Sequence, residues 1–393
     1  MTTIRSATCV RCPPRWLLLR VETDDGEIGW GEAIGDLHEE VEKALIAIGE
    51  RVEGSSIHDI TRTIETQRKT RFWRDGPVLD TALSALEMAL WDLKGKEFGA
   101  PIHNLLGGRV RERVRVYRNL WGRTPEEFAD SAREAMSQSM TAVKVSPAGP
   151  TPNVVSRAAL NDMVEVVRAV RDAIGPNMDL AVDLHGRLTP AASRRAVHAL
   201  APMDPFFIEE PCLPDGSASH IADLRALRTA QPIAIATGER LRSAHAFAQH
   251  LMPSPVVDII QPDVSMVGGI RAAVEIGAMA TAAQVSMAPH CPYGPVQFAA
   301  SMQVAAASPA HLIQEFQSLG GAGSGGGAPG GGQNWAFDLV AMPFTIEGGH
   351  VDVPTAPGLG VEVLEERIEE HMDMWNPHPP TAWTHEDGGH AEW

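Results

Sequence analysis

From about residue 113 the chain alternates short apolar runs with Ala-rich helical pattern, and three of those runs close on a carboxylate. LAVD ends on Asp183, FFIE on Glu209 and IAIATGE on Glu239, 26 and 30 residues apart, which suits one strand–helix unit each. Eight runs share this rhythm: 114–120, 141–146, 179–185, 206–211, 233–239, 256–263, 284–290 and 311–316. Strands separated by helices pair in parallel, and eight such units predict an α/β barrel. In a parallel barrel all strand C-termini open on one mouth, so the three acids face a common space. Three carboxylates converging with open positions left over suit a hard divalent cation such as Mg²⁺.

The 393 residues exceed one ordinary domain and leave room for a second unit beside a barrel. Residues 1–112 read as an α+β unit, 113–345 as the barrel, and 346–393 as a segment returning to the first unit through Trp375, Trp383 and Trp393. RWLLLRVETDDGEIGWGEA predicts a hairpin turning at Asp24-Asp25-Gly26. Leu79, Leu83, Leu86, Leu90 and Leu93 predict a helix over 79–94 with one apolar face, stopped by Gly95. The Gly-rich stretch 320–332 has no Walker-type Lys and reads as a loop over the barrel mouth.

A net charge of −17 argues against nucleic acid and anionic membrane as partners. It leaves an anionic small molecule possible, since a bound cation inverts the local field. No apolar run approaches the ~20 residues of a bilayer span, and MTTIRSATCV lacks a signal-peptide core, so a cytoplasmic location is expected. Four cysteines are too few for a disulfide framework. Cys9 and Cys12 form a C-x-x-C without a second Cys/His pair, so they read as structural thiols.

Ionisable residues end every predicted strand from the second to the eighth. They are Lys144; Asp183 and His185; Glu209 and Glu210; Glu239 and Arg240; Asp263; His290; and Glu315. Asp183 and His185, two residues apart, are expected on one face of their strand. Such an unbroken series at a barrel mouth reads as chemistry.

ALSALEMALWDLKGK, VDLHGR, FIEEP, TGER, QPDVSMVGG, APHCPYGP and the ending WTHEDGGHAEW carry a family likeness along essentially the whole chain. The chain resembles the mandelate racemase subgroup of the enolase superfamily and, within it, is similar to the galactonate dehydratases. The resemblance implies a (β/α)₇β TIM-like barrel under an α+β capping domain built from the N-terminal region and the C-terminal tail. It implies Mg²⁺ held by Asp183, Glu209 and Glu239, a His290–Asp263 dyad, a sugar-acid substrate and a homo-oligomer. Asp36, His38 and Arg74, on first-domain loops, are expected to contact substrate.

The residue chemistry points the same way. A cation chelating a carboxylate substrate stabilises the enediolate left by loss of the α-proton. His290 would take that proton, with Asp263 orienting its imidazole. Glu315, expected protonated through a raised pKa, would donate to the developing oxyanion, and Lys144 would neutralise substrate charge. Racemases of the subgroup are similar in a Lys-x-Lys on the second strand. Here the motif is Lys144-Val145-Ser146, and Ser146 cannot serve as a second base. His185, across the ring from His290, could instead protonate a departing 3-hydroxyl. The expected reaction is therefore an anti elimination of water to a 2-keto-3-deoxy sugar acid. An epimerase or cycloisomerase lacks its second lysine, and a silent sugar-acid binder would have no use for His290 and Glu315 together. Hydrolases of the barrel type need a His-x-His that is absent from this sequence.

Overall fold

The computed structural model describes residues 2–151, 154–213, 218–316, 339–341, 344–377, 382–385 and 387–391. The Gly-rich 320–332 stretch and Trp393 lie outside the described residues.

The first unit opens with an antiparallel sheet of β1 (Ile4–Cys12), β2 (Trp16–Thr23) and β3 (Ile28–Ala33). The turn at Asp24-Asp25-Gly26 forms, with Gly26 at φ +92°, a conformation that favours glycine. Four helices follow: α1 (His38–Val52), α2 (Ile60–Lys69), α3 (Pro77–Glu97) and α4 (Ile102–Leu105). Helix α3 departs from the expected one-sided stripe, since Asp80 through Leu93 are buried on every face. It packs on the sheet and on the barrel together. Nor does Gly95 stop it; a Cβ there would lie 2.5 Å from the Cα of Gly358, so the glycine marks a close approach.

Eight barrel strands alternate with seven helices among the described residues. They run β4 (Arg113–Asn119), α5 (Pro125–Ser137), β5 (Ala142–Val145), α6 (Arg157–Ile174), β6 (Asp179–Asp183), α7 (Pro190–Leu200) and β7 (Phe207–Glu209). Then come α8 (Ala218–Ala230), β8 (Ala234–Thr237), α9 (Ala244–Leu251), β9 (Ile259–Ile260), α10 (Ile270–Ala283), β10 (Ser286–Met287), α11 (Pro295–Ala307) and β11 (Gln314–Phe316). All neighbouring strands pair in parallel. Met287 N donates to Ala310 O and Leu312 N to Met287 O, both at 2.8 Å, which joins β10 to the β11 stave and closes the ring. This is the (β/α)₇β barrel. Strands β9 and β10 are shorter than expected, and Pro262 and Pro289, which have no N–H, cannot extend either ladder at its C-terminal end.

Each stave gives one residue to the barrel's interior: Tyr117, Ala142, Ala181, Phe207, Ala236, Ile259, Ala288 and Ile313. Tyr117 and Phe207 meet edge to face at 6.1 Å and fill the space that the alanines leave. The floor beneath the mouth is therefore solid.

Two buried carboxylates of the first unit dock it to the barrel. Glu32 accepts from the N–H groups of Gly294 (2.5 Å) and Gln297 (2.8 Å), at the start of α11. Glu87 accepts from Ile270 (2.7 Å) and Arg271 (3.0 Å), at the start of α10. Each satisfies N–H groups that a helix leaves unpaired at its N-terminus. The C-terminal segment touches both units. Its strand β12 (His350–Asp352) pairs antiparallel with β4, while Leu359 N donates to Asp92 and Asn376 N to Pro14 O. Trp375 lies under Arg11, and Trp383 under Arg187 near the barrel mouth.

Candidate metal and acid–base site

Asp183 and Glu209 end adjacent strands and sit opposite each other in the β6–β7 register. Glu239 follows β8 by two residues, after Gly238, whose φ of +139° turns the chain inward. A side chain at 238 would strike Phe247 and the backbone of Gln261. One oxygen from each of the three acids lies within 4.8 Å of the others, an arrangement that could hold a metal ion. Asp183 and Glu209 are almost fully buried. Burial, reinforced by the surrounding acids, pushes the Glu209 carboxyl well above its ordinary range despite Lys144. Hard oxygen donors that repel one another fit a divalent cation, which would relieve that repulsion.

Lys144 supplies one positive charge to this cluster. Its Nζ lies 2.6 Å from Glu209, 3.0 Å from Glu315 and 3.8 Å from Asp183. Gln261 Nε2 donates to the second oxygen of Glu209 at 2.7 Å, so both oxygens have fixed directions. Glu210, at φ +40°, turns the other way, accepting from Thr237 Oγ1 (2.7 Å) and Gly238 N (2.8 Å). Burial and then Glu239 raise it to about 8. It thus holds the bend that presents Glu239. Arg240 Nε lies 3.8 Å from Glu239.

His290 follows β10 and places Nδ1 2.8 Å from Asp263 Oδ2. A carboxylate can only accept, so Nδ1 carries the proton and Nε2 faces Glu239 at 3.7 Å. Burial alone would lower His290, but Glu239, the bond to Asp263, and Glu315 raise it to about 10. A cation on Glu239 would weaken the largest of those raising effects.

His185 reaches the mouth by a different route from the one expected. Strand β6 ends at Asp183, and His185 and Gly186 adopt φ of +54° and +66°. Strand alternation therefore does not set its side. The turn places His185 N 2.7 Å from Asp183 Oδ1, and its Nδ1 3.0 Å from Asp183 Oδ2. Burial would raise Asp183, but His185 and Lys144 hold it below the usual aspartate range. In the closed ring, β6 and β10 stand four staves apart in either direction. His185 and His290 thus belong to opposite sides of the mouth.

Glu315 corrects the expectation of a protonated acid. Burial would raise it, yet Lys144, His290, the Cys291 N–H (2.7 Å) and Asn119 Nδ2 (2.8 Å) bring it down to about 2. Surrounded by donors, it is an ionised acceptor.

The three first-domain residues separate. Asp36 accepts from Tyr293 Oη at 2.7 Å, and the Tyr293 ring stands edge-on to His290 at 6.4 Å. His38 instead opens α1 with Nε2 4.0 Å from Glu39. Arg74 is exposed and has no hydrogen bond or ion pair among the described residues. Gln261, Tyr293 and Gln297 join the site without a motif in the sequence that marks them for it. Their signal is an amide or hydroxyl in an otherwise apolar, buried segment, since such groups must find partners.

Comparison with known proteins places the chain. Residues 3–107 match the model of the mandelate racemase / muconate lactonizing enzyme N-terminal domain, and 127–367 match that of the enolase C-terminal domain-like family. A D-galactonate dehydratase of Variovorax paradoxus is 36% identical over 98% of this chain and 98% of its own length. A D-gluconate dehydratase of Thermoproteus tenax is 36% identical over 91% of this chain and 70% of its own length. Among solved structures, a mandelate racemase/muconate lactonizing enzyme from Sulfitobacter superimposes with a TM-score of 0.84 at 30% identity, covering 94% of this chain and 96% of its own.

Proposed function

This chain belongs to the mandelate racemase/muconate lactonizing enzyme family of the enolase superfamily, and on that premise we propose that it is a Mg²⁺-dependent acid sugar dehydratase. The substrate we assign is an aldonate, D-galactonate or a related sugar acid, as the names of the relatives suggest. The products are water and a 2-keto-3-deoxy acid.

The observation that carries this reading is the placement of His185 and His290 four staves apart, with Asp183 on the stave that leads into His185 and Glu209 and Glu239 on staves between the two histidines. Asp183, Glu209 and Glu239 would hold the cation, and Gln261 and Glu210 keep the last two in place. When bound, the cation neutralises the substrate carboxylate and acidifies its α-proton. His290 Nε2 takes the proton from C2, while Asp263 stabilises the imidazolium formed. His185, on the other side, gives a proton to the 3-hydroxyl as the C3–O bond breaks, so that water leaves. The resulting enol becomes the 2-keto acid by protonation at C3. Lys144 and Glu315, paired at 3.0 Å, set the polar wall beside the substrate carboxylate. Asp36 acts through Tyr293, whose ring braces His290.

A panel of aldonates and aldarates incubated with the protein and Mg²⁺, then treated with semicarbazide, tests this reading. A 2-keto-3-deoxy product from an aldonate is expected, and it should disappear with EDTA. Silence across the panel, with no exchange of any α-proton, would overturn the assignment.

A further inference from the structure

Helix α11 is buried from Pro295 through Ala306, and two glutamines interrupt its apolar sequence PVQFAASMQVAAA. A buried amide must have partners, and what each glutamine bonds tells them apart. Gln303 ties the helix to the first unit and the tail: its Oε1 accepts from His103 N at 3.0 Å, and its Nε2 donates to Leu359 O at 2.9 Å. Gln297 turns toward the site. Its Nε2 donates to Asp263 Oδ1 at 2.8 Å, and its Oε1 accepts from Tyr293 N at 3.1 Å.

We infer that Gln297 is a positioning residue for the Asp263–His290 pair, held in register by Glu32 of the capping domain. This role rests on His290 acting as the base. A carboxylate can pivot about its Cβ–Cγ bond, so aiming one oxygen requires fixing the other. Asp263 Oδ1 receives two donors, Ser265 N at 2.7 Å and Gln297 Nε2 at 2.8 Å, which leaves Oδ2 directed at His290 Nδ1. Gln297 is fixed in turn. Its backbone N–H and that of Gly294 both donate to Glu32, and a Cβ at 294 would lie 2.6 Å from the Glu32 carboxylate. Its side-chain oxygen holds the backbone of Tyr293, the residue whose ring braces His290. A chain of contacts therefore runs from strand β3, through the first turn of α11, to the imidazole.

The two glutamines supply the experiment. Gln297→Met and Gln303→Met each remove one buried amide from the same helix at nearly constant volume. Exchange of the substrate α-proton in D₂O would be followed by proton NMR with Mg²⁺ and D-galactonate, or the aldonate turned over fastest, beside kcat, KM and thermal midpoint. Gln303→Met is expected to lower the midpoint and keep the wild-type kcat. Gln297→Met is expected to lower exchange and kcat about tenfold to hundredfold with KM unchanged, the loss that a misdirected catalytic group brings. Should Gln297→Met fail to fold, Gln297→Asn, one methylene short of Asp263, takes the same assay. A His290-dependent exchange untouched in the Gln297 variants would overturn this role alone, as would an equal kcat loss in Gln303→Met. Exchange surviving in His290→Asn would overturn the base assignment, and this role with it.

Discussion

Glu87 and Gly269 lie so close that a Cβ on the glycine would overlap the glutamate's Oε2. Gly269 also has φ +93°, so no other residue fits its conformation without strain. The capping domain is keyed into the barrel here, as it is at Glu32 and Gly294. Gly269→Ala is expected to cost about 1–3 kcal/mol from conformation alone. Glu87→Ala leaves the buried Ile270 N–H without its acceptor, at about 1–3 kcal/mol, and removes the part-buried bond to Arg271 N as well. Urea unfolding of both variants checks this, and wild-type midpoints would contradict it.

The same clamps make stability depend on pH. Burial raises Glu87 from 4.5 to about 7, and the helix N–H groups only partly oppose it. Glu32 rises to about 8 for the same reason. Because the folded values exceed the unfolded ones, the stabilisation is complete below about 4.5 and is lost as pH rises through 7 to 8. Urea midpoints are expected to fall across that window, and less steeply in Glu87→Gln. An unchanged slope in the variant would contradict this account of the clamp.

Gln261→Met frees one oxygen of Glu209. Losing a partner that orients a metal-binding side chain commonly costs about tenfold to hundredfold in metal affinity. Calorimetric titration with Mg²⁺ is expected to show that loss. Wild-type affinity in the variant would place Glu209 outside the metal set.

Lys144 shares its charge among Glu209, Glu315 and Asp183. Lys144→Met leaves those acids buried and uncompensated, a change worth on the order of 3–5 kcal/mol. The variant is expected to melt lower in EDTA and to gain more from Mg²⁺ than the wild type does. Equal gains in the two proteins would show that the cation and the lysine do not serve the same carboxylates.

Much of this arrangement is legible in the chain itself. The strand rhythm puts Asp183, Glu209 and Glu239 at one end of a parallel ring, and their convergence within 4.8 Å follows. Other features depend on neighbours that local pattern does not reveal. Strand alternation points His185 to the mouth, yet a left-handed turn puts it there. The charge of Glu315 depends on four groups from distant segments, including Asn119, 196 residues away in sequence. Helix α3 carries a visible leucine stripe, but nothing in the stripe shows that its other faces are covered too. The roles of Glu32 and Glu87 depend on helices that lie 262 and 183 residues away in sequence.

Proton exchange at the substrate α-carbon, measured in D₂O with His185→Asn and His290→Asn, tests the central claim most directly. If the two histidines serve opposite faces, His185→Asn still exchanges the α-proton while losing product formation by about a hundredfold or more. His290→Asn loses both. Exchange that persists in His290→Asn with Mg²⁺ bound would contradict the account.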